Sequence, residues 1–305
     1  MSPNVKIERN VLAMSVIGAV AFSFAGIFLG ILSGSHIVLF DGLYSMIIVA
    51  LSYLSLAAAV FMGKNDEERF PFGKNMVEPL VILFKYSVIL LLVILSLLSA
   101  VHAVFTGGRD VAVGIALLYA ALGTAACYGY YLYLNKHAKK TASGLIKAEA
   151  NQWLMDTLIT AGVLAGFILA SVFQYIPALN PWVPYVDPVM LILVSVYFLK
   201  YPVREMRTAL KEVLEMKPDK QITSHIDTFV AEAEERFKLA ESFVRVTKIG
   251  RTLWVEIDFV VQPDSKVQTV KDQDRVREML NNKLLNEDSK LWLTIAFTSD
   301  RKWAL

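Results

Sequence analysis

Charge is scarce in this 305-residue sequence: Asp, Glu, Lys and Arg make up 19% of it, against about 25% in an ordinary soluble domain. What charge there is nearly cancels, to +2, so no basic surface argues for nucleic acid. There is one cysteine, Cys127, set in an apolar run, which excludes a disulfide framework and a cysteine zinc cluster. The four histidines are scattered. Hydrophobic residues fill the space left by charge, at 55% with a mean hydropathy of +0.50. The excess occupies the chain up to about residue 200 and then stops, which implies a membrane domain followed by a soluble one. We place these at residues 1–210, a six-helix transmembrane domain, and 211–305, a cytosolic domain.

A helix needs about 20 apolar residues to cross the hydrocarbon core. Six segments qualify as expected spans: 11–33, 36–62 with Asp41 inside, 77–105 with Lys85 and His102, 111–134, 150–173 with Asp156, and 184–201 opening near Asp187. The first follows a polar start, MSPNVKIERN, and reads as a retained helix, not a cleaved signal. Alternate loops are basic: Lys6 and Arg9; Lys64, Arg69 and Lys74; Lys136, Lys139, Lys140 and Lys147; Lys200, Arg204 and Arg207. The opposite loops carry only Arg109. Basic loops stay in the cytoplasm, so both termini are expected there, with the protein multi-pass in a bacterial inner membrane.

The tail has a different texture. Residues 221–237 have helical periodicity, 242–249 and 252–262 read as strands around Gly250-Arg251, 267–285 as an amphipathic helix, and 291–298 as a last strand. This α-β-β-α-β order resembles a ferredoxin-like α+β unit. A sheet this small has edges to protect, and a second copy of the chain is one way to cover them.

An ionisable group at mid-bilayer costs at least about 2.5–3.5 kcal/mol on insertion scales and usually marks a pathway or a partner. Asp41 and Asp156 are such groups, and each has a polar residue four positions away, Ser45 and Gln152. Residues at i and i+4 share a helix face. Two such faces opposed bring together two carboxylates, a hydroxyl and an amide oxygen, a set suited to a divalent cation. The bland readings are that Ser45 packs between helices, that Gln152 makes an interhelical hydrogen bond, and that Lys85 either neutralises an aspartate or snorkels to the cytoplasmic end.

The same residues carry a resemblance. LFDGLYSMI in the second helix, RFPFGKNMVEPL in the loop after it, EANQWLMDTLIT in the fifth helix, YVDPV opening the sixth and VREMRTALKEVLEMKPD beyond it are similar to ordered motifs of the cation diffusion facilitator family. The resemblance implies a homodimer, alternating access, export of a divalent metal against protons, and no enzymatic activity or bound cofactor. It places one site per protomer at Asp41, Ser45, Gln152 and Asp156. Two of these depart from the pattern: Ser45 stands where a second aspartate is usual, and Gln152 where histidine or aspartate is usual. The loop after the second helix and the tail also lack the family's metal-binding histidines. Zinc favours nitrogen and sulfur ligands. An oxygen-only set favours manganese, iron, magnesium or calcium. A monovalent cation, a non-transporting scaffold that retains the fold, and an intramembrane protease built on two aspartates are the competing readings.

Overall fold

The computed structural model describes residues 3–33, 36–64, 66–108, 113–285 and 290–305, without the side chains of 3–5, 29–30, 32–33, 36–44, 113–116, 119, 163, 167 and 187. The chain divides into two compact units, Met1–Arg207 and Thr208–Leu305.

The first unit is helical. Its long helices are α1 (Pro3–Ser33), α2 (His36–Met62), α3 (Val77–Phe105), α4 (Val113–Thr141), α5 (Gly144–Gln174) and α6 (Val183–Val213, which runs on into the second unit). Among the described residues, five of them, α1, α2, α3, α5 and α6, are long and apolar enough to cross a membrane. Several helices outrun the apolar segments that announce them: α5 starts at Gly144 and α6 continues to Val213. Polar residues extend a helix beyond the bilayer wherever nothing breaks it. Large apolar side chains such as Phe24, Leu95, Leu98, Leu122 and Leu193 point outward, as lipid-facing residues must.

Small and polar residues hold the interior. α1 packs along α2, α4 along α5, and α5 also touches α1, α2 and α3. Gly18 lets α4 approach α1: a Cβ there would lie 2.3 Å from the Tyr130 ring. That ring stacks on Trp153 of α5 at 4.6 Å and 14°. The loop after α2 closes on itself through Lys74, which donates to the carbonyls of Phe61 (3.3 Å) and Lys64 (2.9 Å) and lies 4.5 Å over the Phe61 ring. A cation at a helix C-terminus satisfies orphan carbonyls and opposes the helix dipole.

The second unit runs α7 (Lys220–Phe237), β1 (Glu241–Ile249), β2 (Thr252–Val260), α8 (Val270–Leu284) and β3 (Lys290–Thr298). β2 is central, antiparallel to β1 and parallel to β3. Gly250 makes the β1–β2 turn at φ +57°, where glycine carries no Cβ penalty. Val255, Ile257 and Phe259 alternate onto the core face with Ile226, Val230, Val276 and Leu280 of the two helices. On the other face Trp254 stacks on Trp292 across β2 and β3 at 4.6 Å.

Candidate metal site

The helix α5 organises the centre of the first unit. Glu149, Gln152, Trp153 and Asp156 recur at intervals of three and four residues, so they form one stripe along it.

Asp156 and Ser45 line one cavity of about 70 Å³, together with Ala19 and Phe22 of α1, Cys127 of α4 and Trp153. It has room for a cation with part of its water. The structure therefore brings Ser45 of α2 and Asp156 of α5 to one place, walled mostly by apolar groups in which a charge would be weakly screened. Asp41 lies on α2, and its side chain falls outside the described residues.

Gln152 lies one turn from Asp156, toward the start of α5, and is not part of the cavity wall. It is 2% exposed, and neither atom of its amide has a hydrogen-bond partner among the described residues. Leaving a buried polar group unsatisfied costs about 1–3 kcal/mol. Such groups in native structures mark function or an absent ligand or water.

Glu149 is the residue that sequence reasoning missed. It is fully buried and takes four donors. Ser15 of α1 (2.7 Å) and Ser52 of α2 (2.8 Å) donate to Oε2. Ser55 of α2 (2.9 Å) and Lys85 of α3 donate to Oε1. Lys85 thus neither snorkels nor pairs with an aspartate: its stem and ammonium are buried, and its ion pair is with Glu149. One carboxylate joins four helices. The signal was present, since two opposite charges in apolar spans must find each other, but Lys85 and Glu149 are 64 residues apart and no local spacing links them. The node also reaches the cavity, because Trp153 Nε1 donates to Ser15 Oγ at 2.8 Å.

The start of α5 is fixed by two more carboxylates. Ser143, the N-cap, accepts from the Ile146 N–H (3.2 Å) and donates to Glu8 of α1 (2.5 Å). The Gly144 N–H donates to Glu78 of α3 (2.5 Å). His102 is exposed. Among the described residues no three His, Cys, Asp or Glu side chains gather into a metal centre.

Comparison with known proteins adds to this geometry. The family model of the cation efflux transmembrane domain matches residues 12–214. A protein named zinc transporter ZitB, from Yersinia pestis, is 25% identical over 189 residues, which is 62% of this chain and 57% of that protein. Its counterpart in Yersinia pseudotuberculosis matches at the same identity and coverage. The manganese efflux system protein MneP of Bacillus subtilis is 22% identical over 280 residues, 90% of this chain and 91% of that one. The match to the Yersinia proteins thus spans little more than half of their length, and the match to the Bacillus protein nearly all of it.

Proposed function

Because this chain belongs to the cation diffusion facilitator family of cation efflux proteins, we propose that it exports a divalent metal cation from the cytoplasm in exchange for protons. It is a multi-pass membrane transporter and not an enzyme. The cation would bind between α2 and α5 to Asp41, Ser45, Gln152 and Asp156. The observation that carries this reading is the buried Gln152 amide, unpartnered among the described residues, one turn from a cavity that Ser45 and Asp156 line together. A cation drawn into that cavity would supply the electrophile that the amide oxygen lacks, on the helix face that Gln152 shares with Asp156 at i and i+4.

The ligand set selects the cation. Carboxylate, hydroxyl and amide oxygens suit manganese, ferrous iron, magnesium or calcium better than zinc. Of the relatives, the two Yersinia proteins are named for zinc and the Bacillus protein for manganese, and the oxygen set favours the second kind of substrate. Two neighbouring carboxylates raise each other's proton affinity, so protons arriving from outside displace the metal after the site has reoriented. α4 serves as a sixth crossing, which keeps the basic loops and both termini on the cytoplasmic side of the bacterial inner membrane. The 208–305 unit would be the cytosolic dimerisation and regulatory domain, with the ferredoxin-like order expected from the sequence.

Reconstituted vesicles with an imposed proton gradient test all of this. Manganese uptake should depend on the gradient and vanish in Asp156→Ala, and Gln152→His should gain zinc transport. Uptake that ignores the gradient removes antiport. Uptake that survives in Asp156→Ala removes the site.

A further inference from the structure

The proposed site accounts for Asp156 and Gln152 but leaves a second buried charge system beside it, the Lys85–Glu149 pair. An ion pair of this kind holds a fold together poorly, because desolvating two charges offsets their attraction. Three features suggest that it does more than hold helices.

The hydroxyls come first. Ser15, Ser52 and Ser55 all donate to Glu149. With Lys85 removed, Oε2 would still have two donors and Oε1 one. The carboxylate is therefore solvated by the protein whether or not the ammonium is present, as a plain structural ion pair would not require. The ammonium is the second feature. Lys85 Nζ carries three N–H groups, and among the described residues it makes one hydrogen bond, to Glu149. The third is position. Gln152 is three residues further along the stripe, about 4.5 Å at the helical rise of 1.5 Å per residue. Its amide oxygen is an acceptor with no donor among the described residues. A four-carbon stem covers a step of this size by changing rotamers.

Resting on the cation-site reading above, we infer that Lys85 is a tethered counter-cation. Its ammonium leaves Glu149 and enters the Gln152–Asp156 level of the site when the metal has gone, and returns to Glu149 when metal binds. Moving the ammonium redistributes charge and leaves the sum unchanged. With metal bound, Lys85 neutralises Glu149 and the metal neutralises the aspartates. With the site empty, Lys85 neutralises part of the aspartate charge while three hydroxyls hold Glu149. The empty carrier then reorients without two adjacent unneutralised aspartates, its remaining negative charge resting partly on Glu149 among three hydroxyls, and protons neutralise the remainder. The lysine competes with metal for the same oxygens, so it weakens binding and speeds release.

Full-length Lys85→Met, with similar volume and no charge, tests this in two assays. Titration with Mn²⁺ in detergent should show binding at least tenfold tighter than wild type, because the competitor is gone. Mn²⁺ turnover in proteoliposomes should fall at least tenfold, because the empty site keeps its charge. A structural role predicts weaker or unchanged binding, and either result in the folded variant overturns the inference. Should Lys85→Met fold poorly, Lys85→Met/Glu149→Gln, which removes both buried charges, is held to the same two readings. Asp156→Ala separates the two claims. Lost Mn²⁺ binding there, with unchanged affinity in Lys85→Met, sinks the counter-cation alone. Binding retained in Asp156→Ala sinks the site and the counter-cation with it.

Discussion

Four donors converge on the Glu149 carboxylate, and they make the two charges of its ion pair unequal. Lys85 relies on Glu149 for its charge partner, whereas Glu149 also has Ser15, Ser52 and Ser55. With Mn²⁺ in the site, Glu149→Ala strands a buried ammonium, and breaking a buried pair from one side costs about 3–5 kcal/mol. Lys85→Met strands a carboxylate that still accepts three hydroxyl hydrogens, so its cost should be less than half as large. Unfolding in mixed micelles ranks the two variants, and equal costs would show that the serines do not share the charge. The same residues show where sequence reading stops. Asp41 and Asp156 stand out because each is a lone acid in its apolar segment with a polar residue four positions away, Ser45 and Gln152, a purely local pattern. Glu149 sits near the polar start of its helix and resembles a surface acid. Its burial depends on serines from two other helices, 94 to 134 residues away in sequence, and no window along the chain contains that information.

At the scale of elements, α5 is set at its start as well as its middle. Ser143 caps it, and Glu8 and Glu78 reach the same end from α1 and α3. Two carboxylates at a helix N-terminus also match its dipole. Ser143→Ala removes the cap and the partner of Glu8. The expected loss is about 1–2 kcal/mol, read as a lower denaturation midpoint in detergent. Because α5 carries Gln152 and Asp156, the variant should also raise the KM for Mn²⁺ transport with little change in maximal rate; an unchanged KM would mean that the cap does not position the site. Elements of this kind were largely legible in advance. The second and third helices begin and end where their apolar runs do, at His36–Met62 and Val77–Phe105, because the flanking residues are turn-forming or charged. The fifth was expected from Ala150 and begins at Gly144. Its first two turns interleave buried Leu145 and Ile146 with Lys147 and Glu149, which interrupts the apolar run, and the Ser143 cap with Glu8 and Glu78 holds that end.

On the scale of the whole molecule, the two units rest on different physics. The helical unit needs a bilayer to cover its outward-facing leucines and phenylalanines. The 208–305 unit has its own core, built from β2 and the inner faces of α7 and α8, so residues 208–305 expressed alone should fold in water with a cooperative thermal transition. Its acid sensitivity follows from its surface. The Arg301 guanidinium, hydrogen-bonded to Glu241, holds that carboxyl below its ordinary value. The Thr269 hydroxyl does the same for Asp272 in the capping box of α8, and the Lys302 side chain for Asp300. A carboxylate whose pKa is lower folded than unfolded contributes stability above its unfolded pKa and loses it as pH falls through the folded one. These three groups should therefore leave stability flat from pH 8 to pH 5 and withdraw support only below about pH 4, where ordinary carboxylates begin to protonate. Each contribution is small because the groups are exposed and screened. Thermal melts of the isolated unit across that range give the comparison, with Glu241→Gln flattening part of the acid limb. If the melting temperature instead falls between pH 8 and pH 5, groups other than these carboxylates set the pH response.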